Sequence, residues 1–183
     1  KQLLVTIESS SDNPVESPLR IHLGQGISRG DRMDFAIQKA VELGVTEITP
    51  LFTERCGVKL DAERLVKRTE QWQKIAISAC EQCGRSVLPL INLPLELAAW
   101  LQQVEADLKL VLHPIAAPLQ SHDKPNSLAF LVGPEGGLSE AEVDQAKAVG
   151  FHAARLGPRV LRTETAPVVA LSVAQQLWGD LQA

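Results

Sequence analysis

Two continuous apolar runs, LKLVLHPI at 108–115 and SLAFLVG at 127–133, constrain this chain most. Neither alternates apolar with polar residues, so neither suits a strand with one face in water. Both fall well short of the roughly 20 apolar residues that a membrane helix needs. Each is bounded by turn residues, as a strand covered on both faces would be, and that is the condition of a parallel sheet. The segments around them agree. At 31–44, Met33, Ile37, Ala40 and Val41 recur at helical spacing, acids occupy the first turn, and Gly44 stands past the end. Further helices are expected over 61–84, 95–106, 139–150 and 167–179. Ser139 and Glu142 have the spacing of a capping box, and Pro167 and Gly179 bracket the last helix. Extended segments are expected at 1–9, 19–27, 45–53, 87–94 and 151–157, with a polar linker holding two prolines at 10–18. Strands alternating with helices predict an α/β fold, a mostly parallel sheet flanked by helices.

In such sheets ligands sit beyond the carboxyl ends of the strands, so the loops there are the place to seek chemistry. The first loop is Leu112-His113-Pro114. The second, Gly133-Pro134-Glu135-Gly136-Gly137, holds three glycines in five residues and opens onto a helix N-terminus, whose free N–H groups can donate to a ligand. It lacks the lysine of a phosphate loop, and a tight, well-capped turn is the plainer reading of it. The third, 156–166, has Arg159, Arg162, Thr163, Glu164 and Thr165 and is long for a strand-to-helix connection.

Composition excludes some functions. Of 183 residues 45% are hydrophobic and 22% charged, so the chain is not disordered. Lys and Arg number 18 against 22 Asp and Glu, a net charge of −4, which rules out a polyelectrolyte-type nucleic-acid binder but leaves room for a local basic stripe near Arg155–Arg162. With no Tyr and four Phe, an aromatic base-stacking surface is not expected. Three cysteines, an odd number in a chain of this size, suggest a reducing, cytoplasmic setting. Cys80-x-x-Cys83 has no second Cys/His pair at metal spacing, so no metal is expected. His22, His122 and His152 read as structural or solvated, and Trp72, Trp100 and Trp178 as packing anchors.

LVGPEGGLSEAE at 131–142, followed by LGPRVLRTETA at 156–166 and an Ala/Val-rich helix, resembles the SPOUT-class methyltransferases, and within them the RsmE family of uridine-N3 methyltransferases of 16S ribosomal RNA. GDRMDFAIQKAVELGVTEITPLFTERC at 30–56, EQCGR at 81–85 and LHP at 112–114 resemble the same pattern in the same order. The resemblance implies a C-terminal trefoil knot, a homodimer, S-adenosylmethionine as cofactor, and RNA of the small ribosomal subunit as partner, with neither membrane nor metal. It also implies that 1–18 is the remnant of an N-terminal PUA-like barrel with its linker, and 19–183 the methyltransferase domain. By position, Leu112, His113, Gly133, Pro134, Glu135, Gly136, Gly137, Leu156, Gly157, Leu161, Arg162, Thr163, Glu164, Thr165 and Ala166 surround the cofactor. Arg162 is the candidate to stabilise charge on the base, with Glu164 or Glu135 as proton acceptor. Arg29, Arg32, Lys39, Arg55, Lys59, Gln82, Arg85 and Arg159 are candidate RNA contacts. Ribose 2′-O-methylation, another base position and a non-catalytic nucleotide- or RNA-binding module stand as alternatives.

Overall fold

A computed structural model describes residues 4–10, 15–58, 62–118 and 122–181. The elements in chain order are β1 (Arg20–Gly26), α1 (Asp31–Glu42), β2 (Glu47–Phe52), α2 (Ala62–Cys83), β3 (Leu90–Ile91), β4 (Leu95–Glu96), α3 (Leu97–Gln103), β5 (Leu108–Pro118), β6 (Ser127–Val132), α4 (Glu140–Ala148), β7 (His152–Arg155) and α5 (Thr165–Trp178). The strands lie in the order β3-β2-β1-β6-β5-β7, with β4 also beside β2. Every pairing is parallel.

The apolar runs are continuous because alternate residues feed two cores. Leu128 and Phe130 of β6 join Ile21, Leu23, Met33, Trp72 and Leu171 beneath α1, α2 and α5. Ala129 and Leu131 join Trp100, Leu101 and Val143 beneath α3 and α4. Both faces are therefore dry, and a polar residue on either face would need a partner. Gly24 marks a close approach inside the sheet: a Cβ there would lie 2.5 Å from the Trp100 ring, which rests on the strand backbone. The Trp100 indole N–H donates to His22 Nε2 (3.3 Å), and Thr49 Oγ1 lies 2.8 Å from the same nitrogen. Burial pushes the His22 pKa down, partly offset by Glu47, so this histidine is a neutral structural acceptor.

Some expectations were displaced. Residues 4–10 form no strand and are exposed. The helix expected over 95–106 is confined to Leu97–Gln103: Leu95 pairs with Leu51 as β4, and Val104 turns extended to bury its side chain. Strand β5 runs on to Pro118, which places Leu112-His113-Pro114 inside a strand and not after it.

Arg85 is a structural residue. Its side chain is 5% exposed and 2.8 Å from Glu16 Oε2. Its Nη1 donates to the carbonyls of Val41 and Val45, both at 2.9 Å, where α1 gives way to β2. Glu16 accepts in addition from the N–H groups of Ser86 and Val87. Nothing of Arg85 is left for a phosphate. Close by, Ser17 Oγ donates to Gln175 Oε1 (2.7 Å) and Gln175 Nε2 to Leu43 O (2.9 Å), tying α5 to the same turn.

Burial pushes the Glu16 carboxyl up, but its hydrogen bonds and the Arg85 charge prevail and hold it below its ordinary value. A carboxyl that titrates lower folded than unfolded stabilises fully above its ordinary value and progressively less as pH falls through the folded one. Arg85→Met should therefore cost about 2 kcal/mol in urea unfolding at neutral pH. The gap between variant and wild type should narrow as pH drops into the acid range.

Candidate functional site

All strands of a parallel sheet end on one edge, and here three segments on that edge converge on one open cavity of about 580 Å³. Pockets for small molecules fall in this size range. It is lined by Leu112 and His113 of β5, by the whole Gly133–Gly137 loop, and by most of the loop between β7 and α5. Every residue assigned to a cofactor by sequence lines it except Thr165, the first residue of α5.

The first segment is an excursion within β5. Leu112 and Ala117 both stand opposite Ala154 of β7, so 113–116 loop out of the ladder. His113 Nδ1 accepts the Ile115 N–H (3.2 Å), bracing the excursion. The second is a turn closed by Gly137 N–H donating to Pro134 O (2.8 Å), with Gly137 at φ +68°, where a side chain is strained. A Cβ on Gly133 would lie 2.9 Å from Leu138 N, and one on Gly136 2.9 Å from Arg55 Cβ. These glycines let the backbone fold tightly at the wall. The capping box of α4 forms as expected: Glu142 N–H donates to Ser139 Oγ (3.3 Å) and Ser139 N–H to Glu142 Oε2 (2.8 Å). Glu142 Oε1 also accepts from Glu54 N (2.7 Å), anchoring the turn to the end of β2.

The third segment is pinned by Thr163. Its hydroxyl donates to Gly133 O (2.9 Å), accepts from Gln25 Nε2 (3.2 Å) and lies 3.1 Å from Ser28 Oγ. The end of β1, the end of β6 and the last loop thus share one buried hydroxyl.

Glu135 reaches back to the start of α1. It accepts from Arg29 N (2.8 Å) and Arg32 Nη1 (3.1 Å). Burial pushes its carboxyl up, but the backbone N–H groups of Arg29 and Glu135 and the Arg32 guanidinium outweigh this and hold it below its ordinary value. Arg55 donates to Gly136 O (3.1 Å). Glu164 has Arg32 Nε at 3.8 Å and accepts no hydrogen bond from the described residues.

Five arginines therefore ring the cavity against two carboxylates: Arg32, Arg55, Arg155, Arg159 and Arg162 with Glu135 and Glu164. This is the local basic patch expected near Arg155–Arg162. Arg155, Arg159 and Arg162 are exposed, and their side chains make no hydrogen bond or ion pair among the described residues. Arg29 stands beside the cavity through Glu135. Lys39 does not line it and pairs with Glu42 (2.7 Å); Gln82 does not line it either, and Lys59 lies outside the described residues. The sequence reading had not placed Val132, Leu138 or Ala154 here, and had singled out no role for Val160. Arg155 was visible as the last residue before a strand-end loop.

Among the described residues no three His, Cys, Asp or Glu side chains gather as metal ligands would. Cys80 is buried; burial and, less strongly, its neighbours Cys83 and Glu16 push its thiol up against the lowering effect of Arg85, which disfavours a thiolate.

A family model for the RNA methyltransferase domain matches residues 15–175, and this sets the class. The ribosomal RNA small subunit methyltransferase E of Buchnera aphidicola is 43% identical over 170 residues, covering 91% of this chain and 69% of that protein. A Legionella pneumophila methyltransferase solved with bound SAM superposes with a TM-score of 0.89 at 48% identity, over 91% of this chain and 70% of that one. The ribosomal RNA small subunit methyltransferase E of Neisseria gonorrhoeae, bound to S-adenosyl methionine, gives 0.87 at 46% identity over 94% and 71%. The chain belongs to the ribosomal RNA small subunit methyltransferase E family.

Removing the Thr163 hydroxyl takes away the donor to the Gly133 carbonyl and leaves Gln25 Nε2 with only its bond to Gly26 O (3.1 Å). Thr163→Val should cost about 2 kcal/mol in equilibrium unfolding, because buried groups are stranded. Thr163→Ser should keep most of the wild-type stability. Equal stability of the Val and Ser variants would contradict the shared-hydroxyl account.

Proposed function

We propose that this protein transfers the methyl group of S-adenosylmethionine to N3 of a uridine in 16S ribosomal RNA of the small subunit. The observation that carries the reading is the convergence of the three loops on one cavity whose free cations stand at its mouth. The relatives named above, two of them solved with this cofactor, point the same way.

The residues present fit the cofactor. Leu112, Leu156 and Leu161 offer apolar cover to a flat adenine, and the turn at Gly133–Gly137 offers backbone groups to its polar edge. Bound S-adenosylmethionine would supply an electrophilic methyl on a sulfonium. The protein must then hold a uracil N3 in line with that methyl and lower the cost of removing its proton. Positioning alone supplies several kcal/mol of barrier reduction, on the order of 7 or more in favourable cases. Deprotonated uracil carries negative charge on O2 and O4, and Arg162, exposed at the mouth without another partner, is the group to meet it. Glu135 is a poor proton acceptor: Arg29 N–H and the Arg32 guanidinium both bond its Oε1, and they help to hold its carboxyl below its ordinary value. We assign it to holding the Gly-rich turn against α1. Arg155 and Arg159, with Arg29, Arg32 and Arg55 behind them, form the surface for RNA phosphates.

We read the C-terminal part as a trefoil knot in a homodimer of the SPOUT type. The path of the last loop supports the knot. From β7 at the sheet edge it returns past β5 to place Thr163 on the ends of β1 and β6, and α5 then packs on α1.

The test is methylation of small ribosomal subunits that lack the modification, followed by mass analysis of nucleosides. 3-Methyluridine is expected. A 2′-O-methylnucleoside, or no product, would overturn the N3 reading. Arg162→Ala should lower transfer about 100-fold or more while calorimetric cofactor affinity stays within about threefold of wild type.

A further inference from the structure

The cavity is electrostatically unsuited to its proposed cofactor unless one residue corrects it. S-adenosylmethionine carries two positive groups, a sulfonium and an α-ammonium, and one carboxylate. The cavity presents five arginines and two glutamates. Like charges at these separations repel strongly in a partly desolvated site. Glu135 relieves this less, because its charge is already shared with the Arg29 N–H and the Arg32 guanidinium at Oε1.

Glu164 is in a different position. Its side chain is only 19% exposed and lines the cavity. Oε2 is fully buried and has no hydrogen-bond partner. The nearest cation is Arg32 Nε at 3.8 Å, beyond hydrogen-bond reach, while Arg32 Nη1 is committed to Glu135 at 3.1 Å. Glu164 is also the N-cap residue of α5, yet its side chain accepts no capping hydrogen bond. A carboxylate sequestered without donors is costly, and neither helix capping nor the ion pair accounts for it.

We propose that Glu164 is the counter-ion for the positive charge of the cofactor. The inference rests on the reading of the cavity as the S-adenosylmethionine pocket and goes on to assign this residue within it. The vacant acceptor is kept for a cation that arrives with the ligand. One carboxylate among arginines then lets the pocket hold a cationic methyl donor, and the pocket favours the donor over ligands that lack its charges. The role differs from that of a proton acceptor, which would leave cofactor affinity untouched.

The test is calorimetric binding of three ligands to wild type and Glu164→Gln. S-adenosylmethionine has the sulfonium and the ammonium, S-adenosylhomocysteine the ammonium alone, and 5′-methylthioadenosine neither. In the variant, S-adenosylmethionine should bind about tenfold weaker or worse, and 5′-methylthioadenosine within about twofold of wild type. An unchanged S-adenosylhomocysteine affinity assigns the contact to the sulfonium; a loss equal to that of S-adenosylmethionine assigns it to the ammonium. If 5′-methylthioadenosine weakens as much as S-adenosylmethionine, Glu164 is structural and the proposal fails. If no affinity changes, it fails as well, and Glu164 remains the candidate proton acceptor. Should Glu164→Gln not fold, Glu164→Asp keeps the charge and should retain most of the preference for S-adenosylmethionine over 5′-methylthioadenosine. Loss of that preference in the Asp variant overturns the proposal. Failure of the wild type to bind any of the three would sink the pocket reading itself.

Discussion

The cavity depends on one hydroxyl. Thr163 joins the last loop to the ends of β1 and β6 through Gln25, Ser28 and Gly133, all within 3.2 Å. Without that junction the loop would be an exposed connection of low local stability. With it, the loop becomes the third wall of a pocket whose other walls are a strand excursion and a glycine turn. The junction works because it is buried: Gln25 is 1% exposed and Thr163 7%, so water competes poorly for these groups.

Two carboxylates extend the same logic to the rest of the site. Glu142 accepts from Ser139 N and Glu54 N, and Glu135 accepts from Arg29 N. In each case a side chain on or before α4 grips a backbone N–H at the end of a strand or the start of a helix. The gripped atoms are main-chain atoms, which have little freedom left once the sheet has formed. The turn between β6 and α4 is therefore held from both sides before any ligand arrives, as preorganised binding sites require.

Much of this was legible in the residues. The run at 127–133 announced a strand buried on both faces, the run at 108–115 did so for its first half only, and Ser139 with Glu142 announced the start of α4. The three loops were legible because a parallel sheet puts its strand ends together. Other features were not, and for physical reasons. The excursion at 113–116 depends on the register between β5 and β7, which local pattern does not set. The burial of Arg85 depends on Glu16, 69 positions away, and on helix-end carbonyls that have no sequence signature. A cation past a helix end looks the same in sequence whether it awaits a phosphate or neutralises a carboxylate. The different standing of Glu135 and Glu164 was invisible too, since only the positions of Arg29 and Arg32 separate them.

The clasps at Glu16 and Ser17 have a mechanical consequence. Arg85, Val41, Val45 and Leu43 all lie where α1 turns into the start of β2, at the edge of the sheet opposite the cavity. The chain entering at residue 16 is thus moored about 20 Å from the pocket, the length of a six-residue strand. The entering segment is tied to the α1–β2 turn through Glu16 and Arg85 and to α5 through Ser17 and Gln175. The molecule is held at the end of the sheet away from its pocket, so an attachment there leaves the pocket's mouth open.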